Sequence, residues 1–383
     1  MATTPHELVY LDCNATTPVD PRVADAMVPV LRGAYGNPSS GHRLGRQARE
    51  LVETARGQVA ACLGVAAEEV LFTSGGSESD NWALRGVAAA RGGGHVVTTA
   101  VEHPAVLETA RALEREGRIR LTVIAVDRFG RVDPREVADA LAPDTVLVSV
   151  MLANNEVGTL QPVAEVASLC RARGVPVHSD AAQALGKVPV DVPSLGVDLL
   201  AVAGHKLYAP KGVGALVVRR GVALEPLVRG AGHERGLRAG TENVASIVGL
   251  GVACAIAAAE VAAEAPRLAA LRDRLEALLA RGHPGLVRHG HPTERLPNTT
   301  SVAFLGVDAN ALLDRLADEV AASAGAACHT GTTHPSHVLT AMGVAPAIAM
   351  STVRFSVGRF TAERDVEEGA RRTLAAIARL MGG

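Results

Sequence analysis

Between residues 70 and 220 the chain alternates short apolar runs with stretches whose apolar residues recur at helical spacing. The apolar runs fall at 70–73, 96–99, 120–125, 145–150, 175–178, 199–203 and 214–218, and helical pattern fills segments such as 104–116 and 162–172 between them. This alternation predicts a mostly parallel sheet covered by helices on both faces. The last two runs are joined only by a short loop, so at least one of them is expected to run antiparallel.

After Gly232 the pattern changes. Residues 245–263 and 266–280 predict two long helices, the second with Leu268, Leu271, Leu275, Leu278 and Leu279 at helical spacing. A strand at 300–304, a helix at 309–316, a loop bearing Cys328, a strand at 352–356 and a helix at 363–380 follow. The chain is therefore expected to be an α/β protein with a large domain at 18–260. Residues 1–17 and 261–383 are expected to form a smaller α+β domain carrying the cysteine loop. No repeat or low-complexity linker separates the two, so they are expected to pack as one unit.

Composition narrows the function. The chain has 383 residues, 48% of them hydrophobic, enough for sizeable cores. Its formal net charge of −2 argues against a polyanion-binding surface, and 2% aromatics leave few stacking platforms for single-stranded nucleic acid. The apolar run 247–259 is too short to span a bilayer, and a buried helix is expected there. The N-terminus lacks the basic start and apolar stretch of a signal peptide. Five scattered cysteines show no paired spacing, which points to a reducing cytoplasm.

Three segments carry cofactor chemistry. Gly204-His205-Lys206 places an amine directly after an apolar strand, where a lysine can hold an aldehyde as a Schiff base. The competing reading is an exposed turn lysine. Adjacent His205 is expected to help lower the Lys206 pKa. Asp180 ends another strand and can pair with a protonated pyridine nitrogen, or simply cap a helix. Thr73-Ser74-Gly75-Gly76-Ser77-Glu78-Ser79 is a glycine-rich turn entering a helix, with Ser77-Glu78-Ser79-Asp80 in the form of a capping box. Its free N–H groups suit a phosphate, although an ordinary capped helix has the same look. Together the three read as a pyridoxal 5′-phosphate site.

Further candidates lie at strand ends. His103 suits ring stacking or proton transfer, against a plain solvated loop histidine. Asn154-Asn155-Glu156 offers amides to a carboxylate or a cofactor oxygen, against an ordinary polar turn. Arg354 on an alternating strand suits a carboxylate clamp, against a salt bridge. Cys328, flanked by small residues and by His329, suits an accessible thiolate. A buried cysteine is its commonest alternative. A metal set of Cys328, His329, His334 and His337 is disfavoured because adjacent Cys and His do not match zinc spacing, so no metal is expected.

In this order the segments resemble the fold-type-I pyridoxal-phosphate enzymes of the class V aminotransferase group, and more narrowly the cysteine desulfurases and selenocysteine lyases. The resemblance is carried by Leu11-Asp12-Cys13-Asn14-Ala15-Thr16-Thr17-Pro18, Gly36-Asn37-Pro38, Asn154-Asn155-Glu156-Val157-Gly158, Asp180-Ala181-Ala182-Gln183, Gly204-His205-Lys206, Gly240-Thr241-Glu242-Asn243, Gly325-Ala326-Ala327-Cys328 and Arg354-Phe355-Ser356. These motifs span nearly the whole chain.

The resemblance implies a role at each matching position. Lys206 holds the cofactor, Asp180 pairs with its ring nitrogen, Gln183 meets the ring hydroxyl oxygen and His103 stacks on the ring. The Gly76–Ser77 turn and His205 bind the phosphate, and Thr241 reaches it from a second subunit, which implies a homodimer. Asn155 and Arg354 hold the substrate carboxylate. Ala203 stands where the iron–sulfur desulfurases usually carry a phosphate-binding serine, and Cys13 where tyrosine is common.

The implied reaction converts L-cysteine to L-alanine. Lys206 or His103 moves protons, and Cys328 takes the sulfur as a persulfide for an acceptor protein. A selenocysteine lyase releasing selenide and L-alanine is the nearest alternative. A catalytically idle binding module on the same fold is a third, opposed by the intact Lys206, Asp180 and Cys328.

Overall fold

The computed structural model describes residues 8–329 and 332–382, with only the course of the backbone between 326 and 333. Its centre is a seven-stranded sheet. From edge to edge the strands are Val70–Thr73, Gly214–Val218, Leu199–Ala203, Val177–Asp180, Thr145–Ser149, Gly94–Thr99 and Ile119–Ile124. Six of them point the same way, and Gly214–Val218 alone is reversed, antiparallel to both neighbours. It is one of the two strands joined by the short loop. Apolar residues from these strands and from the helix Arg43–Leu63 form one continuous core, including Val59, Leu63, Val148, Leu200 and Val217.

All six co-directed strands release their chains at the same edge. Thr73, Thr99, Ser149, Asp180 and Ala203 therefore end side by side, and the loops after them make a crevice. That placement brings together residues far apart in sequence.

A second core lies around a four-stranded antiparallel sheet ordered Ser323–Ala324, Thr352–Ser356, Thr299–Phe304 and Leu286–His289. It buries Leu11, Phe304, Leu312, Phe355 and Ile377. Val9–Tyr10 pairs in parallel with Val320–Ala321, so the N-terminal segment joins this second sheet system. From there residues 12–20 cross to the first core.

The two helices expected after Gly232 are one. Val244–Gly282 runs unbroken for 39 residues with Pro266 inside it. Proline removes one amide donor, but the strong helix formers around it, Ala262, Glu264, Ala265 and Leu268, carry the helix through. The apolar run at 247–259 therefore belongs to a helix that is, by length and composition, long enough to cross a membrane. It is the only such helix among the described residues. It packs against Arg43–Leu63 and Pro21–Gly33, with Ile247, Leu250, Ala253 and Cys254 buried.

Candidate active site

The crevice at the strand ends holds a cavity of about 560 Å3, within the range of small-ligand sites. Lys206, Asp180, Gln183, His103, Asn155, His205, Arg354, Gly76 and Ser77 all line it. Thr241 does not line it and is exposed. The Cys328 side chain lies outside the described residues. The backbone there is a hairpin, Ala326–His329 against Thr332–Pro335, with Cys328 opposite Thr333.

Lys206 sits in a short turn, Gly204–Lys206, that follows the buried strand Leu199–Ala203. Its Nζ donates to the main-chain oxygens of Asn14 and Ala15. Burial first, then the Arg354 guanidinium, brings its pKa down to about 8 against the opposing pull of Asp12 and Asp180. His205 is not among those causes. The influence runs the other way: burial and then the Lys206 charge lower His205 to about 4. His205 is therefore neutral, and its Nδ1 lies 3.1 Å from Thr16 Oγ1.

Asp180 ends its strand buried, with Oδ1 accepting the Ala182 N–H at 2.8 Å. Burial raises its pKa, while that hydrogen bond, His103 and Lys206 act in the opposite sense. His103 begins the helix Pro104–Arg115, and its Nδ1 accepts the Ala105 N–H at 3.1 Å. In the neutral ring the proton then belongs on Nε2. Burial lowers the His103 pKa, which favours that neutral form.

The phosphate turn differs from its expected form. The helix Gly76–Ala90 starts after Gly75, which has φ of 151° and offers no side-chain cap. The carboxylate of Glu78 reaches back to the Ser74 N–H at 2.9 Å and pairs with Arg238. The first N–H groups of the helix are thus left to a ligand rather than capped by Ser77, and Arg238 offsets the Glu78 charge beside them. A Cβ on Gly76 would stand 3.2 Å from the Ala203 Cβ, so Ala203 forms the facing wall.

Arg354 also carries more than the expected clamp. Its Nη2 donates to Asp12 Oδ1 at 2.7 Å and to Ser323 Oγ at 2.9 Å, and its Nη1 to the Asn155 main-chain oxygen at 3.0 Å. Its buried Nε has no partner. Half of the guanidinium fork is therefore already taken by Asp12.

Sequence reasoning passed over four residues here. Asn14 is a hub: its Nδ2 donates to Thr299 Oγ1 at 2.8 Å, and its Oδ1 accepts from Asn298 at 3.0 Å. Lys187 is buried against it. Asp80 lines the cavity floor, and Glu102 is wholly buried with its pKa pushed up to about 8, chiefly by burial. Burial, Asp180 and Glu102 raise Asp80 as well. Asp80 stood in the capping-box motif and Glu102 beside His103, but neither position announces its depth.

A half-buried lysine lining the cavity, a carboxylate at a neighbouring strand end, a histidine in the same cavity and an uncapped helix start fit pyridoxal phosphate. This is the site of a fold-type-I pyridoxal-phosphate enzyme. The aminotransferase class-V family model matches residues 9–368, and the chain belongs to that family. It is similar to the cysteine desulfurase IscS of Anaeromyxobacter dehalogenans, 47% identical over 95% of this chain and 91% of the relative. A NifS-like protein of known structure superposes with a TM-score of 0.92 at 38% identity, covering 97% of this chain and all of the other. SspA, solved in complex with cysteine, superposes with a TM-score of 0.81 at 33% identity over 92% of this chain and 99% of its own. The enzyme's activity is accordingly that of a cysteine desulfurase dependent on pyridoxal phosphate.

Proposed function

We propose that this enzyme converts L-cysteine to L-alanine and holds the sulfur as a persulfide on Cys328. The carrying observation is that one cavity gathers Lys206, Asp180, His103 and Arg354. The hairpin bearing Cys328 returns to Ser336, whose hydroxyl donates to Glu156 beside Asn155.

Pyridoxal phosphate supplies an electron sink that makes the substrate's Cα proton removable. The chain supplies the rest. Lys206 holds the cofactor's aldehyde carbon, and as a free amine with a lowered pKa it accepts the Cα proton. Asp180 keeps the ring nitrogen protonated, because a positive ring nitrogen beside it returns the buried carboxyl to its charged form. Gln183 meets the ring oxygen and His103 covers the ring, with Nε2–H available as a proton donor. The Gly76–Ser77 N–H groups and His205 hold the phosphate. Asn155 and Arg354, whose Nε–H is the donor left without a partner, hold the substrate carboxylate. The Cys328 thiolate attacks the substrate sulfur, the C–S bond breaks with its electron pair kept on Cβ, Cβ takes a proton, and Lys206 gives back to Cα the proton it took. The products balance as alanine and Cys328 persulfide.

Thr241 is exposed and stands off the cavity of its own chain, which supports a homodimer in which it reaches the partner's phosphate. The persulfide then passes to a sulfur-acceptor protein. A reducing cytoplasm suits a thiol that must stay reduced between turnovers. We divide the chain into a cofactor-binding domain at 18–260 and a smaller one at 1–17 and 261–383, with the helix Val244–Gly282 crossing between them.

The test is alanine release from L-cysteine and L-selenocysteine by wild type and Cys328→Ala. The variant is expected to keep the cofactor's visible absorbance and lose alanine release from cysteine. Wild-type rates in the variant would remove Cys328 from its role. Wild-type turnover of selenocysteine alone would make the protein a selenocysteine lyase.

A further inference from the structure

Two amines, one buried and one half-buried, converge on Asn14. Lys206 Nζ meets its main-chain oxygen, and Lys187 Nζ lies 3.4 Å from its side-chain oxygen. Lys187 is only 6% exposed. Its shortest contact is to Gln183 Oε1, at 2.6 Å. Gln183 Nε2 in turn donates to the Asn14 main-chain oxygen at 3.0 Å.

The local fold explains why the two side chains meet. After Asp180 the chain makes two successive tight turns, closed by Leu185 N–H to Ala181 O and Val188 N–H to Ala184 O. The two turns bring Gln183 and Lys187, four residues apart, into contact. Gly186 between them has φ of 76°, and a Cβ there would stand 2.3 Å from Leu207. Glycine at this point lets the turn close over the lysine loop.

A carboxamide is nearly symmetric in shape, and only its partners decide which end is oxygen. Here the partners agree. The Asn14 carbonyl can only accept, so it selects the N–H end. Lys187 donates in either protonation state, so it selects the oxygen end. One N–H of Gln183 remains for the cavity that Gln183 lines.

We propose that Lys187 is a positioning residue: it locks the Gln183 carboxamide so that an N–H, and not the carbonyl oxygen, faces the cofactor's ring oxygen. This rests on the reading of Gln183 as the ring-oxygen contact. If the amide were free to turn, its oxygen would meet the ring oxygen lone pair to lone pair. The ring oxygen would then hold the neighbouring imine proton more tightly. The pH midpoint of the bound cofactor's visible absorbance reads that proton directly, without turnover.

The experiment titrates this absorbance in holoenzyme carrying Lys187→Met, Lys187→Gln, Gln183→Leu and the Lys187→Met/Gln183→Leu pair. Lys187→Met is expected to raise the midpoint by about one pH unit, the scale of one charge-assisted hydrogen bond. Lys187→Gln, which keeps an N–H donor, should restore most of the wild-type value. Gln183→Leu should raise the midpoint, and adding Lys187→Met to it should change nothing further. A wild-type midpoint in Lys187→Met beside a raised one in Gln183→Leu would overturn the inference while sparing the Gln183 reading. An unmoved midpoint in Gln183→Leu would overturn both. Additive shifts in the pair would also overturn the inference. Should Lys187→Met fail to load cofactor, Lys187→Ala titrated with and without propylamine decides instead: recovery supports the lock and no recovery rejects it.

Discussion

Lys206 Nζ donates to the Ala15 main-chain oxygen at 2.7 Å, across 191 residues of sequence. The amine is thus drawn out of water by a segment that enters from the second sheet system. Its pKa of about 8 follows from that burial and from Arg354. The nucleophile is the neutral amine, so the rate at which apoprotein takes up pyridoxal phosphate should rise with pH through about 8 and level off above 9. A lysine in water would keep gaining until about pH 10.4. Stopped-flow absorbance from pH 6.5 to 10.5 checks this, and a rate still climbing at pH 10 would contradict it.

Ala203 gives the second prediction. It ends the strand that carries the lysine turn and faces Gly76 at the uncapped helix start. A hydroxyl added here lies beside the phosphate position and next to N–H groups already turned to it. Ala203→Ser should tighten pyridoxal phosphate binding about fivefold, roughly 1 kcal/mol, the net worth of one added hydrogen bond. Equilibrium dialysis of apoprotein measures it. Unchanged or weaker binding would show that the phosphate does not lie against Ala203.

Much of this site was legible in the sequence because parallel strands end together. Lys206, Asp180 and His103 each follow an apolar run, and the sheet brings such positions to one edge. Lys187 and Asn14 were not legible, since their significance arises only from a contact across 173 residues. Sequence spacing shows Lys187 four residues after Gln183, but nothing local shows that the lysine is buried. Ser77 does not cap the helix because the helix already starts at Gly76, with Gly75 at its N-cap. The join of 245–263 to 266–280 was missed because proline is a reliable helix breaker only where its neighbours do not favour the helix.

Glu156 makes the third prediction. Its carboxylate accepts the Ser336 hydroxyl, and Ser336 also closes the base of the cysteine hairpin through its N–H to the Gly325 oxygen, 3.0 Å. Glu156 therefore ties the hairpin's root to the turn that carries Asn155. Glu156→Ala should lower kcat for alanine release about tenfold by loosening that root, at the modest end of what misplacing a reacting group costs. The cofactor's absorbance and its affinity should stay as in wild type. A changed spectrum with unchanged kcat would place Glu156 at the cofactor instead.

The last prediction concerns how the lysine loop is held. Tyr208, two residues beyond Lys206, has φ of 64°, a region that non-glycine residues rarely occupy. Its hydroxyl accepts the Arg359 N–H at 2.6 Å, and the Arg359 guanidinium lies over its ring at 4.5 Å. Arg359 in turn pairs with Asp20 at 2.7 Å, the two side chains 10% and 2% exposed. Asp20 also starts the helix Pro21–Gly33, accepting the Arg22 N–H at 3.0 Å. Hydrogen bonds from Arg22, together with Arg359, hold the Asp20 carboxyl well below the usual carboxylate range against the opposing cost of burial. Because its folded pKa is depressed, its stabilisation is present in full above the unfolded value near 4 and is lost as pH falls toward the folded one. Asp20→Asn leaves Arg359 with only its longer pairing to Glu260, at 3.5 Å, and should cost about 3 kcal/mol at pH 7. The gap in Tm between wild type and variant should hold constant from pH 8 down to about 5 and narrow below about pH 4. Differential scanning calorimetry across that range measures it, and a gap that widens in acid would mean the Asp20 carboxylate is not what fastens Arg359 over the lysine loop.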